Sequence, residues 1–281
     1  TDLLNRIDLV STAIMISSGV VTFPPALFAY FRILTLQEFN KEYLVKLFVL
    51  NGFSNFLIFI ICIVEVQFTN WPSAYFIYKY LRQTFVPVFF RFIQEFSYSL
   101  MWQSTFFISL NRYLSIRYIQ LMKRNGWKYF LFASSSSLLF AAIVAFPLFF
   151  SGYTYQEVFT IEGVFAHYPT YANGKDFHDI PGAYHQNFTS FVTLIINLLI
   201  VLNIKSLRHH VGENSKMKGK PEHGLLVTSI IMFLVHLAQT AILIFHSFYK
   251  NPYIPLLIPI FISVATTVPF WTLIGFAHSL R

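Results

Sequence analysis

The chain has 281 residues, of which 56% are hydrophobic and only 11% are charged, whereas about a quarter of the residues in a typical soluble domain are charged. This composition excludes an ordinary water-soluble domain and indicates an integral membrane protein. The net charge of +8 does not indicate nucleic-acid binding, because the Lys and Arg residues punctuate the apolar runs instead of clustering on one domain.

Seven apolar stretches reach or approach the length of about 20 helical residues that crosses a bilayer core. We therefore predict one all-α domain over residues 1–281, a bundle of seven transmembrane helices. The predicted helices occupy residues 7–31, 44–67, 86–114, 129–150, 188–206, 225–249 and 253–277. The first stretch is too long to be the apolar part of a signal peptide, so we expect it to span the membrane.

The third predicted helix, 86–114, is the least apolar of the seven. Its polar and charged residues are Arg91, Gln94, Glu95, Ser97, Ser99, Gln103, Ser104, Thr105, Asn111 and Arg112. Because such side chains are costly against lipid, we expect this helix to face the interior of the bundle.

The distribution of basic residues predicts how the bundle is oriented. With the amino terminus outside, 14 of the 20 Lys and Arg residues fall on the cytoplasmic side and 5 fall outside, while Arg91 lies within the third helix. Lys and Arg are retained in the cytoplasm during insertion, so this split predicts an external amino terminus and an internal carboxyl terminus. The basic residues of the loops predicted at 115–128 and 207–224 have two interpretations. They either only determine the orientation in the membrane or also form a docking surface for an acidic cytosolic partner or anionic lipid.

The connection from residue 151 to residue 186 is predicted to be an exposed, structured loop on the outer side. Turn signals such as Asn173-Gly174 support this interpretation. Three histidines of this loop, His167, His178 and His185, offer metal-ligand chemistry, but their irregular spacing argues against a metal site. We therefore predict no metal.

Two residues, Cys62 and Asn187, are of types that can be covalently modified. Cys62 is the sole cysteine, so no disulfide can form within the chain, and the residue is interpreted as a small buried apolar side chain. Asn187 begins the sequon Asn187-Phe188-Thr189, which lies on the predicted outer face. The sequon abuts the fifth predicted helix, so an enzyme has little room to glycosylate it.

Arg91 and Glu95 are the most costly residues inside the predicted membrane. They are spaced i, i+4, so their side chains share one helix face and can pair. Glu95 lies about 25 Å from Arg112, in the outer half of a membrane core about 30 Å thick. The pair is either an anchor for a cationic or hydrogen-bonding ligand, with Glu65 competing for Arg91, or a structural ion pair whose Arg extends outward.

Other polar and aromatic residues continue this face into the bundle. Ser99, Trp102 and Gln103 follow on the third helix, and His236 and Gln239 project from the sixth. A lining of this kind suits a small, partly apolar ligand. The alternative is that these side chains only form hydrogen bonds between helices, each worth about 0.6 kcal/mol in membranes.

The most specific motif is Asn111-Arg112-Tyr113 at the inner end of the third helix. An Arg suits a switch at this place, because its permanent charge and five donors can exchange partners between two helix packings. The segment Leu110–Ser115, with Trp127 leading the fourth helix, resembles the nematode serpentine chemoreceptors. Among these, it is most similar to the serpentine receptor gamma group and its relatives, and the resemblance extends over the seven-helix span.

This resemblance implies a chemosensory G-protein-coupled receptor in the plasma membrane of a sensory cell. The implied partners are a small extracellular ligand, membrane lipid and a cytoplasmic heterotrimeric G protein, which Asn111, Arg112 and Tyr113 would contact; nucleic acid is not expected. The chain departs from the rhodopsin-like pattern in its second helix, which contains Asn51 and Asn55 but no Asp. A buried sodium site of that type is therefore not predicted.

Enzyme chemistry is not predicted, because the chain has no zinc-protease, nucleophile-elbow or phosphate-loop motif. No cofactor is expected either, since the seventh predicted helix has no Lys to bind retinal. The alternative function is a transporter or channel in which Arg91, Glu95 and Glu65 mark a solute path. The odd number of helices and the lack of internal repeats argue against it.

Overall fold

The computed structural model describes residues 2–35, 43–68, 74–159, 165–171, 180–211 and 260–271, with helical positions 230, 231, 234, 235, 237, 238 and 241. The helices are α1 (Asp2–Thr35), α2 (Tyr43–Cys62), α3 (Tyr75–Leu81), α4 (Val86–Arg117), α5 (Ile119–Ala145), α6 (Ile180–Val211) and α7 (Ile260–Trp271). The helices α1, α2, α4, α5 and α6 correspond to the first five predicted helices. Most of the sixth predicted helix and parts of the seventh lie outside the described residues.

Four stretches of the described helices are long and apolar enough to cross a membrane. They are Leu9–Arg32, Tyr43–Glu65, Arg124–Phe150 and Tyr184–Asn203. Large apolar side chains on these helices, including those of Phe28, Phe132 and Phe188, are exposed, which is stable against lipid and costly against water. These features indicate a helical membrane protein.

The helix α4 lies inside the bundle, where it packs against α2, α5 and α6. Its buried polar residues are Gln94, Ser97, Ser99, Ser104, Thr105, Ser109, Asn111 and Arg112. The prediction that the least apolar helix faces the bundle interior is therefore confirmed.

Asn51 joins α2 to α4 near the middle of both helices. Its Nδ2 lies 3.0 Å from the Met101 carbonyl oxygen, 2.8 Å from Ser104 Oγ and 3.0 Å from Thr105 Oγ1. Asn55 Nδ2 donates in turn to Asn51 Oδ1 at 3.1 Å. A buried amide must find partners within the protein because lipid offers none, so these contacts set the position of α2 along α4.

Close packing of α1 against α2 depends on a glycine. A Cβ at Gly52 would lie 2.2 Å from the hydroxyl oxygen of Tyr30, whose ring packs edge-on against Phe270 of α7 at 5.9 Å. Phe48 of α2 and Phe107 of α4 belong to the same apolar cluster. The absence of a side chain at Gly52 thus lets the phenol of α1 enter the core.

The loop predicted at 115–128 is absent, which corrects the sequence analysis. Residues 86–117 and 119–145 are helical, and only Tyr118, with φ −133° and ψ 55°, separates α4 from α5. Gln, Leu, Met, Lys and Arg dominate the start of α5, and all of them favour helix. The basic segment 115–128, which was predicted to be a loop, therefore forms the end of α4 and the first turns of α5.

The outer connection contains a β-hairpin, an element that the all-α prediction did not include. Strand β1 (Tyr153–Phe159) pairs antiparallel with β2 (Phe165–Tyr171), with Tyr153 opposite Tyr171 and Phe159 opposite Phe165. Gly152 precedes β1 with φ 66°, a left-handed conformation that costs other residues about 1–2 kcal/mol. The loop is thus structured, as predicted, while the Asn173-Gly174 turn signal lies outside the described residues.

Candidate functional site

The end of α4 near Arg91, called the outer end after the predicted orientation, carries the predicted pair of charged residues. Arg91 Nη2 lies 3.1 Å from Glu95 Oε1, and both side chains are largely buried, with 16% and 14% of their surface exposed. Arg91 Nη1 also donates to Gln94 Oε1. The predicted i, i+4 ion pair is therefore confirmed, and Gln94 helps to hold its guanidinium.

The hairpin places Tyr153 directly against this pair. The guanidinium of Arg91 lies 5.7 Å from the centroid of the Tyr153 ring, within the range of a cation–π contact. Burial, and then the negative charge of Glu65, raises the pKa of Tyr153 well above its usual value, while the charge of Arg91 lowers it. Glu65 is buried at the end of α2, so one phenol of the hairpin lies between charges from α2 and α4.

A pair of tyrosines, Tyr78 and Tyr155, attaches the hairpin to α3 and to the end of α2. The Tyr78 hydroxyl of α3 donates to the carbonyl oxygen of Val64, in the π-helical turn Ile63–Gln67 that ends α2. The ring of Tyr78 packs edge-on against Tyr155 at 5.1 Å. Burial, and secondarily Glu65, raises the pKa of Tyr78 to about 12. The Tyr78 hydroxyl therefore stays protonated and remains a donor at ordinary pH.

Deeper in the bundle, Gln103 of α4 meets His185 of α6. Their Nε2 atoms lie 2.7 Å apart. An amide nitrogen only donates, so His185 Nε2 accepts and the imidazole proton lies on Nδ1. The indole of Trp102 lies beside the same imidazole, with 6.2 Å between ring centroids. Two of the predicted pocket residues thus converge on one histidine.

Three buried polar atoms of this cluster have no hydrogen-bond partner among the described residues. They are Ser99 Oγ, Trp102 Nε1 and His185 Nδ1. Two aromatic rings complete the surroundings: Tyr98 stacks on Trp102 at 5.6 Å, and Phe140 of α5 lies 4.8 Å from His185. Because buried polar atoms normally find partners, these three atoms are candidates for hydrogen bonds to groups beyond the described residues.

Three residues of this cluster are predicted from the sequence, whereas His185, Tyr98 and Phe140 are not. Trp102, Gln103 and Ser99 were candidates, whereas His185 was assigned to the outer loop because the fifth helix was predicted to begin at residue 188. In fact α6 begins at Ile180, which places His185 within the helix. The remaining candidates, His236 and Gln239, lie outside the described residues.

The sequence places two other histidines in the connection between α5 and α6. His178 lies outside the described residues, and His167 belongs to β2. Within the part of the chain that the structure describes, no three His, Cys, Asp or Glu residues are placed to hold a metal ion. The cluster around His185 thus consists of neutral aromatic and amide groups.

The glycosylation sequon also falls within α6. Asn187 is exposed, but Thr189 is buried, and its hydroxyl donates to the His185 carbonyl oxygen at 2.5 Å. A glycosylating enzyme needs an accessible sequon, usually in a surface loop. In this folded arrangement the Thr189 hydroxyl is engaged within the helix, which agrees with the expectation of restricted access.

The Asn111-Arg112-Tyr113 motif lies at the opposite end of α4. Asn111 and Arg112 are buried, with 5% and 7% of their surface exposed. Tyr113 packs against the apolar cluster formed by Ile196 and Ile200 of α6. The Arg is therefore held inside the bundle, and a partner could contact it only after the neighbouring helices move.

No protein-family model matches this chain, and no curated protein matches it significantly. Functional interpretation therefore depends on the residues and geometry described above.

Proposed function

We propose that this protein is a seven-helix chemosensory receptor that binds a small extracellular molecule and activates a cytoplasmic heterotrimeric G protein. The observation that carries this proposal is the placement of two polar sites on one uninterrupted helix of 32 residues, α4. The Arg91–Glu95 pair lies toward one end of α4 and buried Arg112 lies toward the other, and the Gln103–His185 contact lies between them, near the middle of the helix. Such a helix can couple events at the two membrane faces.

The ligand we propose is small and partly apolar, with one or two hydrogen-bonding groups. Trp102, Tyr98 and Phe140 supply aromatic surface near His185. Ser99 Oγ, Trp102 Nε1 and His185 Nδ1 supply buried polar atoms with no partner among the described residues. A ligand that satisfied these atoms would recover hydrogen bonds that the cluster itself leaves unformed.

At the inner end, we propose that Arg112, assisted by Asn111 and Tyr113, contacts the G protein. Its burial supports a resting state in which the guanidinium is withheld from partners. A ligand would shift the protein toward an arrangement with Arg112 accessible only by binding that arrangement more tightly than the resting one. Loosening of the packing between Tyr113 and the Ile196–Ile200 cluster is the expected movement.

The decisive experiment measures nucleotide exchange by a G protein reconstituted with the full chain in lipid nanodiscs. A panel of small aromatic alcohols, ketones and heterocycles supplies candidate ligands, and direct binding is measured in parallel. We expect a compound that binds to stimulate exchange. A compound that binds and is carried across the membrane, but never stimulates exchange, would support the transporter alternative and refute the receptor proposal.

The substitution Arg112→Ala tests the inner end separately. We expect exchange to fall to its basal rate while the dissociation constant of the ligand changes less than about threefold, because Arg112 is about 15 Å along α4 from Trp102. Lys128→Ala is the matched control, since it removes an exposed positive charge predicted to lie on the same side. Normal coupling by the Arg112→Ala protein would contradict the role proposed for this residue.

A further inference from the structure

A groove opens at the corner where α4 ends and α5 begins. Its volume is about 630 Å³, within the range of about 300–1,000 Å³ that is common for small-molecule sites. The groove is lined by Ile116, Arg117, Tyr118, Gln120, Leu121 and Arg124. The corner is at the opposite end of α4 from the Arg91–Glu95 pair, so the groove is separate from the ligand site proposed above.

The groove carries positive charge that none of the described residues neutralises. Arg117 lies in the last turn of α4 and Arg124 near the start of α5, and both side chains are exposed. Within the described part of the chain, neither forms a hydrogen bond or an ion pair. The sequence has no Asp or Glu anywhere between residues 96 and 156. The two guanidinium groups are therefore available to an external anion.

The side chains at the corner favour the same kind of ligand. Tyr118, which precedes α5, provides no side-chain cap, and the first turn of α5 has no acidic residue. The corner is both the end of α4 and the start of α5, so the partial charges of the two helix ends oppose each other and the two arginines determine the sign of the field. Gln120, on the groove wall, supplies a neutral donor. Among the described residues, the corner thus offers donors and no acidic side chain.

The position of the groove identifies where such an anion would come from. The apolar span Arg124–Phe150 begins at a groove residue, so the groove lies at the boundary between lipid tails and water. Exposed Leu121 and Trp127 flank Arg124 along α5, as apolar and aromatic residues do at membrane interfaces. The anions concentrated at that depth are lipid phosphates.

We propose that this groove binds the headgroup of a phosphoinositide, with Arg117 and Arg124 each holding a phosphate. Guanidinium groups pair with phosphate through two parallel hydrogen bonds. A headgroup with phosphates on its inositol ring can offer a phosphate to each arginine, whereas phosphatidylserine presents one phosphate and one carboxylate beside an ammonium group and so carries much less negative charge. The site requires that the groove face the cytoplasmic leaflet, as the distribution of basic residues predicts, but it does not depend on receptor function.

Native mass spectrometry of the full chain in detergent can count bound short-chain lipids and measure their affinity. We expect dioctanoyl phosphatidylinositol 4,5-bisphosphate to bind at least about tenfold more tightly than dioctanoyl phosphatidylserine. Arg117→Gln with Arg124→Gln should weaken bisphosphate binding at least about tenfold, since a basic residue at a membrane surface contributes about fivefold in affinity. Free inositol 1,4,5-trisphosphate should bind more weakly than the lipid.

The matched control is Arg32→Gln with Lys128→Gln. It removes the same charge from two exposed residues outside the groove, and we expect less than about threefold weakening. Equal weakening by the two double variants, or equal binding of phosphatidylserine, would refute a specific site. Equally tight binding of the free trisphosphate would indicate a soluble anion as the ligand.

A second measurement does not depend on how the variants fold. A phosphoinositide with a photoreactive group on its headgroup, irradiated with the unaltered protein, should label the segment from Ile116 to Arg124. Labelling confined to other segments would overturn the proposal.

Discussion

The two ends of α4 are held in place by different kinds of contact. At the outer end, the contacts include directional polar ones: Arg91 pairs with Glu95 on α4 itself and makes a cation–π contact with Tyr153 of the hairpin. At the inner end, Tyr113 packs on apolar side chains of α6 such as Ile200. Directional contacts are lost when their geometry changes, whereas apolar surfaces can slide and repack. The inner end is therefore the end better suited to rearrangement.

The largest stability effect is expected from Arg91→Leu at the outer end. The substitution leaves Glu95 buried without its partner, and breaking a buried ion pair from one side typically costs about 3–5 kcal/mol. We expect the free energy of unfolding in detergent to fall by about 3 kcal/mol. Hydrogen exchange should show the hairpin β1–β2 loosening with it, because Tyr153 loses the guanidinium against which it packs.

The control for this substitution is the double variant Arg91→Leu with Glu95→Leu. The double variant has no carboxylate at position 95 to be left without the guanidinium, so it should be more stable than Arg91→Leu alone. If both variants unfold equally easily, the ion pair does not hold the outer end and the contrast between the two ends is wrong.

A smaller effect is expected from Ile200→Ala at the inner end. Ile200 is completely buried, and Ile→Ala substitutions in packed cores cost about 2–5 kcal/mol, with the lower value expected where neighbouring side chains can repack. We expect a loss of about 2 kcal/mol and faster hydrogen exchange at the inner end of α6. Exchange in the hairpin should remain unchanged; a hairpin that loosened as much as it does in Arg91→Leu would show that the two ends are not independent.

The smallest effect is expected from Tyr78→Phe, which removes one hydroxyl bond between α3 and the end of α2. The loss should be about 1 kcal/mol, the usual net contribution of a hydrogen bond. Thermal unfolding at pH 8 can measure it. Ser54→Ala is a suitable control, because the Ser54 hydroxyl donates only within its own helix, to the Leu50 carbonyl at 2.9 Å. A loss no larger than that of the control would contradict the anchoring role.

Alkaline pH tests the same anchor. The pKa of Tyr78 is about 12 in the folded protein, above its ordinary value of 10, so folding favours the protonated phenol. Its contribution to stability is complete below about pH 10 and declines as the pH rises toward 12. The Tyr78→Phe protein should therefore lose less stability between pH 10 and pH 11.5 than the unaltered protein. An identical decline in both proteins would exclude Tyr78 as its source.

Local sequence patterns predicted much of the fold and part of the candidate site. The spans of α1, α2, α5 and α6 follow from apolar length, and the interior position of α4 follows from its polar residues. The Arg91–Glu95 pair follows from i, i+4 spacing on a helix. Each of these inferences needs only residues close together in the chain, where helix geometry determines which side chains are neighbours.

Contacts between distant segments required the tertiary structure. The chain separates Gln103 from His185 by 82 positions and Tyr153 from Arg91 by 62, so no local periodicity relates them. The same is true of the groove, since Tyr118 alone turns α4 into α5 where a loop was predicted. Hydrophobic length and polar spacing determined that this chain forms membrane helices around α4. The folding of those helices against one another decided which polar side chains meet, because that depends on three-dimensional packing and not on position in the chain.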